Sequence, residues 1–538
     1  MEQAYNKANA GIKGRLDGHY QHEGVKWMLK RELEVDKGGA RGGILADDMG
    51  LGKTMQAIAC MRGNPTATLI VSIVSTVQQW RDALIDFGGY KPIIINPSFT
   101  GILPEGVEVA ITTYSSFQRG SPPECLRSYD WGRIILDEGH TIRNPATKVY
   151  KEISKIDVDI KWILSGTPIQ NSEKDLTAIA RWIGASQDSN IEEIIEEMVL
   201  RRTQEEQAAS NPRLALPPLT TTVVFLEFST EEEKSFYHAV EDYYADKAST
   251  NFEAIEALTR CRQACTNPQL YVDSMDKKKR KRGEEAIKVP VGISCTKLDF
   301  LVDDIEKTSV SGKCLVFCMW TNEMKLLQEA LKVKKISSLI YDGKLSRENK
   351  ESVLYNFKNT SIPVLIIQIN CGSSGLNLQC ANKVYITSPN YNPCVELQAI
   401  GRAYRKGQVE CVTCTRVVMV DTVEERCMQI QEKKMKVIME AMKDESMLNR
   451  LSGMAEGEEG DDEDIRNIFK RKKKRPIALA DPIAVADTSV IDVEAVLAMP
   501  QDFDPYLFVS TPDPLAIIED LEEDAEFNAF MNELMKDL

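Results

Sequence analysis

The chain of 538 residues contains no apolar run of 18 residues, so no segment reads as a membrane-spanning helix and no membrane partner is expected. Its opening, MEQAYNKANAG, lacks the basic-then-apolar pattern of a secretory signal, and an intracellular protein is expected. The 13 cysteines form no paired framework. Many fall in apolar, strand-like runs, as Cys314 and Cys318 do, and are expected to act as small hydrophobes in a reducing compartment, without disulfides. Cys411-Val412-Thr413-Cys414 is a single C-x-x-C without the second pair or nearby histidine that a zinc site needs. A basic excess is missing too, since the net charge is -15. That imbalance is local. Residues 451–538 hold 22 acidic and 8 basic side chains, leaving 59 acidic against 58 basic in residues 1–450. Affinity for phosphates would then come from local patches rather than a global field.

Three motifs stand out. Ala46 to Thr54 (ADDMGLGKT) follows an apolar strand candidate and opens a helix, the context of a phosphate-binding loop. Gly50 and Gly52 let backbone N–H groups curl around a β-phosphate, with Asp48, Met49 and Leu51 completing the loop. Lys53 would reach the β- and γ-phosphates, and the Thr54 hydroxyl would hold Mg²⁺. Asp47 stands where a strict G-x-x-x-x-G-K-T loop has its first glycine. Downstream, Trp131 to Leu136 reads as a buried strand that delivers Asp137 and Glu138 at its carboxyl end, where open parallel sheets bind ligands. Asp137 is then a Mg²⁺ ligand, and Glu138 the residue that orients and deprotonates the attacking water. An acidic pair alone would equally suit a solvated turn or a helix cap; the order of the motifs favours hydrolysis. In Gln398 to Gln408 (QAIGRAYRKGQ), Arg402 and Arg405 stand three apart and are expected on one helical face, clamping a γ-phosphate from a second domain.

With these residues the chain resembles the Swi/Snf-type ATPases of helicase superfamily two, from about Leu16 to about Met442. Leu16 to Met28 resembles the family's adenine-recognition segment, with Gln21 as the reader, and Gln398 is a further nucleotide contact. Val71 to Trp80 and Ile111 to Phe117 resemble its DNA-facing segments, and Ser165 to Asn171 (SGTPIQN) its coupling motif. Cys314 to Trp320 and Cys371 to Asn382 resemble second-lobe motifs. Trp131 to Pro145, Thr259 to Leu270 and Asn392 to Gln398 resemble the branch that contains helicase-like transcription factor and transcription termination factor. Many of that branch carry a zinc-binding RING between the motor halves, which needs eight ligands. Here only Cys261, Cys265, Cys295 and His238 lie in that interval, so no RING is expected.

The expected fold is α/β: two RecA-like lobes with parallel sheets, helical insertions between them and a partly disordered acidic C-terminal tail. The expected boundaries are 1–185 for an ATP-binding lobe, 186–295 for a helical protrusion and linker region, and 296–450 for a second lobe with a brace helix. Residues 451–538 form the tail, whose Lys470 to Arg475 run suits nuclear import and whose Asp513 to Leu538 segment suits docking on a partner or on the motor itself. Lys277 to Arg282 is a second basic run, open between import, DNA contact and a solvated loop.

The resemblance implies an ATP- and Mg²⁺-dependent translocase on double-stranded DNA that remodels DNA–protein complexes in transcription, chromatin or repair. Transcription machinery or nucleosomes are the further partners it suggests. The expected location is the nucleus, or a viral or cytoplasmic site of DNA transactions. The alternatives are a strand-separating helicase, which needs a wedge that the chain does not display, and a non-catalytic DNA-bound scaffold.

Overall fold

The computed structural model describes residues 1–442 apart from 17, 35–38, 119–121, 171, 246–250, 282–294 and 373–374. The acidic tail with both of its expected segments lies outside the described residues, as does Arg282 at the end of the first basic run.

Runs of aliphatic and β-branched residues form two parallel sheets. The first contains β1 (Arg41–Leu45), β2 (Thr68–Ser72), β3 (Ile93–Ile94), β4 (Val109–Thr113), β5 (Arg133–Asp137), β6 (Ile160–Leu164) and β7 (Val199–Leu200), in the order β3-β4-β2-β5-β6-β1-β7. Every pairing is parallel. Leu69, Ile70 and Val71, and likewise Ile134, Ile135 and Leu136, are consecutive and fully buried, because helices cover both faces. The second sheet contains β8 (Leu219–Leu226), β9 (Cys314–Cys318), β10 (Ser338–Tyr341), β11 (Val364–Gln368), β12 (Lys383–Ile386) and β13 (Val412–Met419), also all parallel, in the order β10-β11-β9-β12-β13-β8. All thirteen cysteines are free, with Cys414 buried and Cys411 exposed.

The interval expected to be helical also supplies an edge strand to each sheet. β7 joins β1, and the Thr- and Val-rich β8 (LTTTVVFL) runs beside β13, where branched side chains suit a pleated edge. Helices Ile191–Met198, Gln204–Ser210, Glu231–Ala245, Asn251–Thr266 and Pro268–Lys281 account for most of the other described residues of that interval. Helix Glu231–Ala245 begins where the Thr230 hydroxyl accepts the Glu233 N–H at 3.2 Å, and it packs through Tyr237, Val240 and Tyr244 against Ala257, Cys261 and Cys265.

The lobes share one continuous apolar core that includes Ile44, Val71 and Leu136 of the first and Leu315, Phe317 and Ile386 of the second. Helix Val423–Met442 joins it through Met435, Ile438 and Met442 and touches first-lobe helices Glu173–Ile183 and Ile191–Met198.

Sheet order places the functional loops. β6 lies between β1 and β5, so the carboxyl ends delivering the phosphate loop, Ser165 and Asp137 are neighbours at about 4.8 Å per strand. A buried ion pair ties this arrangement to helix Gly18–Leu33: Arg133 Nε donates to Glu32 Oε1 at 2.7 Å, and the Trp162 indole donates to the same oxygen at 2.8 Å. Arg133 also donates to Thr68 Oγ1 at 2.9 Å. Both charged residues are fully buried. Arg133→Met would leave the Glu32 carboxylate buried without its cation, and a loss of about 3–5 kcal/mol of stability is expected in denaturant unfolding. A change below about 1 kcal/mol would show that the pair contributes no net stability.

Candidate active site

The phosphate loop is held from outside its own sequence. Gly50 and Gly52 adopt φ of 93° and 77°, the left-handed turns that let the chain curl before helix Lys53–Gly63 begins. Asp47 is fully buried, and its carboxylate accepts from Arg202 Nε at 2.8 Å and Gln56 Nε2 at 2.9 Å. Arg202 also donates to the Tyr20 carbonyl and to Gln56 Oε1. Asp48 meets Arg201 at 3.5 Å and accepts the Gln204 backbone N–H at 3.2 Å. Arg201 further donates to the Ala46 and Gly166 carbonyls at 3.1 and 3.0 Å. The departure at Asp47 therefore has a structural cause, since the carboxylate is a buried anchor for the segment following β7. Sequence reasoning missed Arg201, Arg202 and Gln204. The available signal was an Arg-Arg pair directly after a short apolar pair, in a chain with two loop carboxylates needing buried partners.

Other loop residues divide between backbone and side-chain tasks. Leu51 is buried with Tyr20 and Leu214, while its carbonyl accepts from Gln21 Nε2 at 3.0 Å. Gln21 lies against the loop so closely that a Cβ on Gly52 would come within 2.4 Å of its amide nitrogen. Lys53 donates to the Asp47 and Asp48 carbonyls at 2.6 and 3.3 Å. Met49 reaches across the cleft to lie 3.5 Å from the Cβ position of Gly401 in the second lobe.

Asp137 ends β5, and its Oδ2 accepts from Trp80 Nε1 at 2.8 Å and Ser72 Oγ at 3.2 Å. Glu138 takes a left-handed backbone, φ 51°, which is uncommon outside glycine and turns its side chain away from the strand. Both carboxylates keep some exposed area but sit deep in the cleft, where desolvation disfavours their charged forms. Burial and the neighbouring Asp137 push Glu138 up to about 7, with Lys53 and Arg402 pulling the other way. Burial raises Asp137, and burial lowers Lys53 against the pull of Glu138, Asp47, Asp48 and Asp137. His140 is pushed down to about 3 by burial and by Arg143, so it is neutral near pH 7. Its 3.4 Å approach to Glu138 is therefore no ion pair, while its Nδ1 lies 2.9 Å from Ser165 Oγ.

The arginines require a correction. Helix Pro393–Ile400 stops before them, at a capping Gly401, and successive turns carry Arg402 and Arg405. They do not share a helical face. Arg402 is nevertheless buried and close enough to Glu138 to feel its charge; burial, opposed by Glu138, brings its guanidinium down to about 10. Arg405 donates to the Leu376 carbonyl at 3.3 Å within its own lobe. Gln408 is a structural tie, donating to the Gln379, Ala381 and Ala403 carbonyls at 3.0–3.2 Å. Gln398 is buried on the helix preceding the arginines. The coupling motif meets that helix directly: Asn392, its N-cap, donates to the Gln170 side chain.

The two side chains expected to hold Mg²⁺, Thr54 and Asp137, both offer oxygen. No described residue donates to Asp137 Oδ1, and the half-buried Thr54 hydroxyl makes no hydrogen bond among the described residues. That donor set fits a hard cation.

A parallel-sheet lobe with a phosphate loop and an acid pair, closed by an arginine from a second parallel-sheet lobe, defines a helicase-like nucleotide hydrolase. The chain matches the SNF2-related domain over residues 20–188 and the helicase conserved C-terminal domain over residues 296–407, and it belongs to the SNF2 family of helicase-like ATPases. DNA repair protein RAD5B of Arabidopsis thaliana is 27% identical over 76% of this chain and 46% of its own length. DNA repair protein rad8 of Schizosaccharomyces pombe is 24% identical over 80% of this chain and 54% of its own. The probable global transactivator of Orgyia pseudotsugata multicapsid polyhedrosis virus is 29% identical over 72% of this chain and 83% of its own. The chain thus spans about half the length of the two repair relatives and most of the viral one. Among solved structures, the SWI2/SNF2 ATPase core of Sulfolobus solfataricus in complex with dsDNA aligns at 23% identity over 82% of this chain and 97% of that chain, with TM-score 0.36. The fold assignment rests on the two sheets themselves.

Arg202→Met would leave Asp47 buried beside a loosened phosphate loop. The expected result is a KM for ATP raised up to about 100-fold with a smaller change in kcat. An unchanged KM would contradict the anchoring role.

Proposed function

We propose that this chain is a DNA-dependent ATPase that translocates on duplex DNA and thereby remodels DNA–protein complexes. The observation that carries the reading is the placement of second-lobe Arg402 beside Glu138, opposite the loop that holds Lys53. Such a site is complete only with the lobes together, so nucleotide state and lobe position are linked. The units that move are the lobe at 1–185 with its edge strand β7 and the lobe that begins at 296 with its edge strand β8, joined through the remainder of 186–295.

Backbone N–H groups of Gly50 to Thr54 cradle the phosphates, and Lys53 leaves its carbonyl partners for the β- and γ-oxygens. Gln21 and Gln398 contact the rest of the nucleotide. Thr54 and Asp137 would hold Mg²⁺, which would supply neutralisation of the phosphate charge. Glu138 orients a water and accepts its proton as the water oxygen attacks the γ-phosphorus and the bond to the ADP oxygen breaks. Arg402 stabilises the charge spreading over the γ-oxygens, with Arg405 adding positive potential from behind. Phosphate release removes the anion that held Arg402, and the lobes separate.

Duplex DNA as the track is supported by family membership and by relatives named for DNA repair and chromatin remodelling. The proposed location is the nucleus, in keeping with relatives named for repair and chromatin remodelling, with a viral site of DNA transactions as the alternative that the viral relative suggests.

Steady-state hydrolysis with no nucleic acid, duplex DNA, single-stranded DNA or RNA tests the reading. Duplex DNA is expected to stimulate most, and Glu138→Gln to lower kcat by about 100- to 10,000-fold. Absence of hydrolysis under every condition would sink the motor and favour a scaffold; strand displacement on a fork would favour a helicase.

Because Glu138 titrates near 7, its basic form is lost as pH falls through that value. The acid limb of kcat/KM is therefore expected near pH 7. A limb near the ordinary value of 4.5 would show that Glu138 is not desolvated as described.

A further inference from the structure

The segment from Ser72 to Trp80 has two faces. Ser72, Thr76 and Trp80, spaced four apart, are buried. Val74, Ser75 and Gln79 are exposed on the other side. The segment resembles a DNA-facing one, and within it the tryptophan points inward: Trp80 is 1% exposed, and its indole N–H donates to Asp137 Oδ2 at 2.8 Å. Ser72 Oγ and Thr76 Oγ1 reach the same oxygen at 3.2 and 3.4 Å, and these hydroxyls lie 2.5 Å from each other. Each hydroxyl has one proton, and Thr76 is also 3.1 Å from the Ile73 carbonyl, so the indole is the one donor with no alternative acceptor nearby. The second lobe abuts the same segment. A Cβ on Gly375 would stand 2.3 Å from Thr76 Cγ2 and 3.2 Å from Gln79 Oε1.

We propose that Trp80, supported by Ser72 and Thr76, is a positioning residue that transmits DNA contact on the outer face of this segment, and second-lobe contact at Gly375, to the carboxylate of Asp137. The inference rests on the duplex-dependent ATPase reading above. Fixing Oδ2 by protein donors orients Oδ1 toward the nucleotide, so a small rotation of helix Val77–Asp86 re-aims the carboxylate. Asp137 itself needs no contact with DNA. By linkage, duplex DNA then changes affinity for Mg²⁺-nucleotide by the same factor that Mg²⁺-nucleotide changes affinity for duplex DNA.

The test measures that factor by binding alone, using a fluorescent non-hydrolysable ATP analogue with Mg²⁺ and a labelled blunt duplex, each titrated with and without the other. The full chain is expected to show coupling in the range of about 5- to 150-fold. Trp80→Phe, which keeps the ring and removes the N–H, is expected to bring the factor within about twofold of unity. Thr76→Val keeps shape and removes a hydroxyl, and Gly375→Ala pushes on Thr76 from the other lobe; both are expected to lower the factor at least threefold, as an order of magnitude. Melting temperatures identify a variant that has lost its fold, and the remaining variants then decide. Full coupling in folded Trp80→Phe and Thr76→Val overturns this inference alone. No coupling in the unsubstituted chain overturns the inference together with the reading on which it rests.

Discussion

The centre of this molecule depends on placing two cations and two carboxylates in one poorly solvated cleft. Lys53, Arg402, Asp137 and Glu138 each lose hydration there, and each titrates away from its ordinary value for that reason. No one of them is stable in the cleft as an isolated ion. Charges of opposite sign offset part of the cost, and the set balances only when Arg402 of the second lobe faces Glu138 of the first. Nucleotide phosphates would add negative charge beside the two cations, strengthening the attraction between the lobes through Arg402. The electrostatics of the cleft and its mechanics are the same interaction.

Several supports around the cleft come from residues remote in the chain. Asp47 and Asp48 anchor the phosphate loop to Arg202, Arg201 and Gln204, more than 150 positions away. Asp137 is held from the segment after β2, and the coupling motif is joined to the arginine helix by Gln170 and Asn392. In the second lobe Glu396 accepts from Arg416 Nε at 2.8 Å, and Lys297 meets Glu424 at 2.6 Å, both pairs buried. Buried pairs of this kind contribute less to stability than their number suggests, since desolvation cancels much of the attraction. Their value here is geometric: they restrict the few positions that reacting groups can occupy.

Features written in short spacings were legible in the sequence. The phosphate loop combines left-handed glycines with a helix start, and an acid pair ends an apolar strand; both are local, and the structure brings them together at adjacent strand ends. Parallel sheets followed from continuous apolar runs such as Thr68–Ser72 and Val364–Gln368. Harder to read were features decided by long-range pairing. Val199–Leu200 is a strand only because β1 offers an edge, and β8 only because β13 does. The arginines were placed on a helix by their spacing, although Gly401 carries the local signal for its end. Trp80 closes a segment that resembles DNA-facing ones, and nothing local shows that burial and an acceptor 57 residues away turn its indole inward. In each of these cases a tertiary partner outweighed a local pattern.

The most direct test of the two-lobed site is a structure of the full chain with duplex DNA, Mg²⁺ and ADP–beryllium fluoride. The account predicts the fluoride group between Lys53 and Arg402, with Glu138 facing its open side and Asp137 beside the Mg²⁺. A fluoride group held by the first lobe alone, with Arg402 turned into its own lobe or into solvent, would contradict it.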